Sequence, residues 1–502
     1  MARALPIACG LLTLACALGA QAPESGPDFD PAELETSVHQ IAEVFSLLEQ
    51  RLADPFDVNQ AFYAGAIPAM VRTLDPHSAF LDPQQFESLQ QMQRSTEKGF
   101  GSVVSISLGR VTVLQTLPES PSMRAGLSPG DEIVAINGYV LSQLSVEQLV
   151  GLLSQSRQQP AQLMVQRPNF ARLIPLTLVP EEMADPSVRN PFHLEDGIGY
   201  VKLGSFGGAT DVELHEAIES LGGRDLKGLV IDLRKNPGGV VEAAIGVAAL
   251  FLEPNQRILW IQGRNGPQEE VRAPADNEPY RFPVAVVVNE ETASASEIVS
   301  GALQDHDRAA IVGTRTYGKG LVQRVYPLSE DSGLALTTAL YLSPSERPIQ
   351  RPMGDCQEFQ LASCEQQEAG EYATDSGRMI PGGGGVQPDV VVAPRSYSRF
   401  EIAIAASNSY LDFARKIVEE RKEAVGPDFQ VTPAILDDFQ LFLSKRSIRP
   451  TLSEWTATVE LIRAGLQQEV LNLAVGVDAG ERIELRVDPQ IKAALAQIRA
   501  KR

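Results

Sequence analysis

Four hydroxyl side chains fall within nine positions of the stretch NEETASASEIVSG: Thr292, Ser294, Ser296 and Ser300. A hydroxyl is a weak nucleophile until a neighbouring base takes its proton. Without a base, the same residues only begin a helix. Apolar residues at Ala295, Ile298, Val299, Ala302 and Leu303 recur at helical spacing, so the stretch predicts an amphipathic helix. Ser294 stands at its start with Glu297 three residues on, which is the pattern of a capping box. The β-branched run PVAVVV directly before it reads as a buried strand.

Two kinds of base are available. The chain has five histidines, His39, His77, His193, His215 and His306, and no Gly-x-Ser-x-Gly elbow. His306 follows Ser294 on the same helix and reads as an ordinary helix-end residue. Lys319, in TYGKGLVQ, is the better candidate. Gly318 and Gly320 let other backbone pack close around it. A lysine buried there loses proton affinity, because desolvation disfavours the ammonium. The neutral amine can then accept a serine proton near neutral pH.

These residues must be positioned by a large chain. It has 502 residues, 43% hydrophobic and 21% charged, enough for several domains with sizeable cores. The net charge of −21 argues against nucleic acid or an anionic membrane surface as the main partner. Residues 1–22, MARALPIACGLLTLACALGAQA, resemble a secretory signal peptide, so export to the periplasm or cell envelope is expected. A retained or lipidated anchor is the alternative. Cys9 and Cys16 lie in this leader, leaving Cys356 and Cys364. In an oxidising compartment that close pair suits a disulfide; two free thiols are the other reading. No metal site is expected there, since no histidine lies nearby.

Along the chain, residues 23–96 read as mostly helical. Residues 97–180 alternate like paired strands around the turn-rich stretch AGLSPGDEIVAINGYVL, with a helix at SVEQLVGLLSQSR. Residues 181–395 alternate strands and helices, which predicts an α/β core. Residues 396–502 return to mostly helix, with ERIELRV strand-like near the end.

The second segment resembles a circularly permuted bacterial PDZ domain. That family captures a peptide as an added strand and holds its carboxylate with loop amides. The matching loop is KGFGS, which makes Gly99, Phe100 and Gly101 the candidate peptide-binding residues. Over roughly residues 35–395 the chain resembles the C-terminal processing peptidases, or tail-specific proteases. Its motifs are NEETASASEIVSGALQDHDRAAIVGTRTYGKGLVQ, LDPHSAFL, DLRKNPGGVVEAA and SGRMIPGGGGVQPDVVV. The resemblance implies a crotonase-like protease core with an inserted PDZ domain and helical end regions. It assigns Ser294 as nucleophile, Lys319 as base and Gln323 as the residue that orients the base. It assigns the oxyanion donors to the amide of Ala295 and to Gly238 or Gly239 in the Asn-Pro-Gly-Gly turn.

The function so implied is an exported serine endopeptidase acting on protein substrates through their free C-termini, with no cofactor. A regulatory or adaptor protein and self-association are open expectations. A stretch carrying both cysteines, RPMGDCQEFQLASCEQQEAGEYATDSG, departs from shorter members of the family. A non-catalytic PDZ-bearing scaffold is the competing reading. A crotonase-like enzyme acting on acyl thioesters is a third, which would need neither a PDZ segment nor export.

Overall fold

The computed structural model describes residues 31–501, apart from 55–56, 58–59, 74, 76, 108–109, 158, 169, 264–267, 352–369 and 422–424. The leader-like residues 1–22 and the pair Cys356 and Cys364 lie outside the described residues. The chain divides into two compact units, Met1–Ile67 and Pro68–Arg502. In the first, the helix Pro31–Arg51 is followed by a short π-helical turn, Gln60–Ala66. Phe62 meets Phe45 edge-on, with ring centroids 5.6 Å apart.

Within the second unit, the site rests on two sheets. One has six strands in the order Val188–Glu195, Ile198–Leu203, Gly228–Asp232, Val284–Val288, Ala309–Gly313 and Val390–Val391. Its first pair is antiparallel and the remaining pairs are parallel. Gly228–Asp232, Val284–Val288 and Ala309–Gly313 are buried at every residue, because both faces of the sheet are covered. Helices Thr210–Ser220, Val241–Ala249 and Ala295–Asp305 contribute to the core on one face. The last helix, Pro489–Ala500, covers the other through Ile491, Ala494 and Ile498. Although this helix lies in the C-terminal region, it packs as part of the sheet's second layer.

The second sheet is antiparallel and runs Ala79–Leu81, Gly333–Leu342, Arg257–Gly263, Glu269–Arg272, with Leu321–Pro327 also paired to Gly333–Leu342. Ala79–Leu81, the end of the sequence motif LDPHSAFL, thus joins a strand that comes some 250 residues later in the chain. A β-bulge falls between Val322 and Gln323.

A further sheet orders Ser102–Ser107, Arg110–Thr116, Glu132–Ile136, Ala161–Gln166 and Ile174–Leu178, with the helix Val146–Ser156 packed on the same core. The chain passes in and out of this segment through Thr96–Gly99 and Glu181–Ala184, which pair antiparallel. Helices Arg399–Ala406, Ser409–Arg421, Pro433–Lys445 and Leu452–Ala474 build a separate cluster around residues such as Phe413, Phe439 and Leu466.

One expectation is overturned. ERIELRV is not a strand but part of the helix Val477–Val487. Residues two apart on a helix point about 200° away from each other. Ile483 enters the C-terminal helical cluster, and Leu485 enters the second face of the protease sheet. A helix wedged between two cores needs two apolar faces, and over seven residues these read like the alternation of a strand.

Candidate active site

The strand Val284–Val288 delivers the chain to the loop that precedes the helix Ala295–Asp305. Three of the four hydroxyls there are spent on structure. Thr292 Oγ1 donates to the Leu233 carbonyl at 2.9 Å, Ser296 Oγ to Asn236 at 3.2 Å, and Ser300 Oγ to Ser296 at 2.8 Å. All three residues are buried, and only Ser294 is partly exposed. Ser294 also has φ +55° and ψ −118°. A non-glycine residue held there costs about 1–3 kcal/mol, and such strain clusters at functional sites.

The Asn-Pro-Gly-Gly turn is stitched to this loop. The Asn236 amide group donates to the Leu203 carbonyl at 2.9 Å, and its Oδ1 accepts from Gly238 N at 2.9 Å. The Asn236 carbonyl accepts from Ala293 N at 3.0 Å. Gly238 has φ +99°, and a Cβ there would lie 2.8 Å from Ser294 Cβ and 3.0 Å from Ala295 N. The Gly238 amide is therefore engaged by Asn236. Among the described residues, the amides of Gly239 and Ala295 have no acceptor.

Lys319 reaches the site from a loop held by glycines. A Cβ on Gly318 would come within 2.9 Å of Gly385 N, and one on Gly320 within 2.6 Å of Gln350 N. These are the close backbone approaches expected from the Gly-Lys-Gly pattern, and the one at Gly318 involves the IPGGGG motif. Lys319 Nζ donates to Gln323 Oε1 at 2.7 Å. Burial pushes the Lys319 amine below the usual lysine range, and the Asp75 carboxylate partly opposes this.

Two buried groups join the serine and lysine loops. Glu297 Oε2 accepts from Ser294 N at 2.9 Å and from Lys319 N at 2.8 Å. Its Oε1 accepts from Gly318 N at 2.7 Å and from Thr316 Oγ1 at 2.5 Å. Thr316 Oγ1 itself accepts from Val386 N, so its proton is free to point at Glu297. Burial pushes the Glu297 carboxyl up, while these four donors pull it back toward ionisation. Tyr341 supplies the second link: its hydroxyl lies 2.9 Å from the Ser294 carbonyl oxygen and 2.7 Å from that of Lys319. Both carbonyls are acceptors, so the phenol must keep its proton. Burial holds its pKa well above the usual tyrosine value, and the Glu297 charge adds to this.

Sequence reasoning read Glu297 as a cap and did not find Tyr341. The Ser-x-x-Glu spacing was the available signal for the first; the second has none in its local sequence. His306 ends the helix away from this site, with Nδ1 2.7 Å from an Asp375 carboxylate oxygen and Nε2 2.7 Å from the Arg257 carbonyl oxygen.

The candidate peptide-binding loop lies at one end of the strand Ser102–Ser107, which forms a sheet edge. The Phe100 carbonyl accepts from Ser122 N at 2.9 Å, and that of Gly101 from Leu117 N at 2.8 Å. Among the described residues, the amides of Phe100 and Gly101 have no acceptor. Phe100 and Val104 pack against the core shared with Leu149, Leu152 and Leu153 of the neighbouring helix. Gly99 is buried and paired with Glu181, outside the loop proper.

Residues 197–354 match peptidase family S41 and residues 112–167 match a PDZ domain. The carboxy-terminal-processing protease of Bartonella bacilliformis is 34% identical over 299 residues, covering 58% of this chain and 68% of that protein. The carboxyl-terminal-processing protease of Synechocystis is 33% identical over 302 residues, covering 57% and 68%. The solved photosystem II D1 C-terminal processing protease is 27% identical, with TM-score 0.37, covering 69% of this chain and 86% of that one. The chain belongs to peptidase family S41, with the carboxy-terminal-processing proteases, and is a serine-type peptidase that carries a PDZ domain.

Proposed function

We propose that the chain is an exported endopeptidase that binds a protein by its free C-terminus and cleaves it with a Ser294–Lys319 dyad on a crotonase-like core. The observation that carries the dyad is the single Glu297 oxygen bonded to the amides of both Ser294 and Lys319. Lys319, whose amine burial shifts toward the neutral form, takes the Ser294 proton as Oγ attacks the scissile carbonyl. Gln323 holds the amine in place through its Oε1. The oxyanion forms against the amides of Ala295 and Gly239, at a helix start whose dipole favours negative charge. Gly238, whose amide is engaged, supplies the close backbone approach. The Lys319 ammonium then protonates the leaving amine, and water releases the acyl group from Ser294.

The PDZ domain takes the substrate tail as a strand added to the edge Ser102–Ser107. Its terminal carboxylate meets the amides of Phe100 and Gly101. A hydrogen bond to a charged group is worth about 1.5–3 kcal/mol. A tailed substrate with an amidated C-terminus is therefore expected to show KM raised about 10- to 100-fold. Steady-state kinetics on the paired substrates checks this, and equal KM values would remove carboxylate capture from the reading. Export rests on the leader-like residues 1–22, and the N-terminus of the mature chain isolated from cells tests it.

A further inference from the structure

Gln323 uses both ends of its side-chain amide. Its Oε1 accepts from Lys319 Nζ, and its Nε2 donates to the His77 carbonyl oxygen, each at 2.7 Å. An amide rotated by half a turn would put a donor against the lysine amine and an acceptor against a carbonyl. The His77 carbonyl therefore decides which way Gln323 faces the base.

That carbonyl belongs to a turn built on one carboxylate. Asp75 Oδ1 accepts from His77 N and Ser78 N, both at 2.8 Å, and from Thr337 Oγ1 at 3.1 Å. Its Oδ2 accepts from Ser78 Oγ, which in turn accepts from Thr337 N at 3.0 Å. Asp75 is 4% exposed and Ser78 6%, so these bonds are sheltered from water. Thr337 is also the cross-strand partner of Gln323, at the bulge that follows Val322. A bulge re-aims the side chain beside it. The Asp75 turn thus grips the Gln323 site from two sides, through the His77 carbonyl and through Thr337.

We propose that Asp75 is a positioning residue for the catalytic base: it fixes the turn that orients Gln323, and Gln323 orients the Lys319 amine. The proposal rests on the reading of Lys319 as base. It gives Asp75 and Ser78 a task in catalysis, just ahead of the pairing of Ala79–Leu81 with Gly333–Leu342.

Asp75 also acts on the base by its charge. Asp75 and His77 interact with the Lys319 charge, and Glu297 and Tyr341 bond its backbone amide and carbonyl. Burial and the Lys319 charge together hold the His77 imidazole below its usual pKa, against the opposing pull of Asp75. Asp75 favours the Lys319 ammonium, so removing its charge frees the amine at lower pH.

The test is kinetics of the full chain across pH, on a tailed protein substrate, comparing the parent with Asp75→Asn, Thr337→Val, His77→Ala and Lys319→Ala. Asp75→Asn is expected to lower kcat about 10²-fold, with KM changed less than about threefold. Its acid limb should move to lower pH. Thr337→Val, which removes one bond and no charge, should lower kcat less and leave the limb in place. His77→Ala keeps the backbone carbonyl and should lose less than Asp75→Asn. A folded Asp75→Asn protein with parental kcat and an unmoved limb would overturn the proposal, as would a His77→Ala loss larger than that of Asp75→Asn. If Asp75→Asn does not fold, the decision falls to Thr337→Val, and parental kcat in that variant overturns the proposal. Lys319→Ala separates the two layers: full activity in it sinks the base reading itself, whereas loss there beside an unaffected Asp75→Asn sinks only the role of Asp75.

Discussion

Lys319→Ala is expected to lower kcat/KM on an unfolded, tailed protein by about 10²–10⁴. The fold should survive, because the contacts of Lys319 with Glu297 and Tyr341 are made by its amide and carbonyl. What is lost is the amine on Gln323. The pH dependence gives a second reading of the same variant. The base works only when neutral, so parental activity rises as pH rises through the Lys319 pKa. Burial holds that pKa below the usual lysine value of about 10.4. The acid limb therefore lies below the range of an exposed lysine, and the residual activity of Lys319→Ala should not follow it. A variant that keeps the parental rate and the parental limb would assign the base elsewhere.

Glu297→Gln is expected to remove both activity and stability. Each carboxylate oxygen of Glu297 receives two donors, three of the four being backbone amides, so an amide in either orientation sets its NH₂ against at least one N–H that cannot turn away. Leaving a buried donor unsatisfied costs about 1–3 kcal/mol, so a loss of at least that order is expected. In one orientation the displaced donors are the amides of Ser294 and Lys319; in the other it is the amide of Gly318, because the Thr316 hydroxyl can turn and accept from the new NH₂. Either way the geometry between nucleophile and base is disturbed. Thermal melting and kinetics well below the melting point should both report it. Parental kcat in a folded Glu297→Gln protein would mean that the site does not depend on this link.

Much of this arrangement is legible locally. PVAVVV is a short β-branched run, and its Val284–Val288 is a fully buried central strand. The apolar stripe from Ala295 to Leu303 is the inward face of the helix it predicts. The Gly-Lys-Gly pattern marks two close backbone approaches, because only glycine tolerates them. What escapes sequence reading depends on distant contacts. Tyr341 looks like any strand aromatic until the serine and lysine loops close over its hydroxyl. Asp75 lies 248 residues before Gln323, and no periodicity connects them. ERIELRV misleads because two separate cores claim alternate residues of one helix. Ser296 and Ser300 share their residue type with Ser294, and what separates them from it is burial and the carbonyls their hydroxyls bond.

The most direct test of the central claim follows the mass of the intact protein during a rapid-quench turnover of a tailed substrate, with the site of any adduct mapped by fragmentation. The expected result is a transient acyl adduct on Ser294 in the parent, and neither adduct nor cleavage in Ser294→Ala. Cleavage that persists in Ser294→Ala, or an adduct on Ser296 or Ser300, would contradict the assignment of Ser294 as the nucleophile.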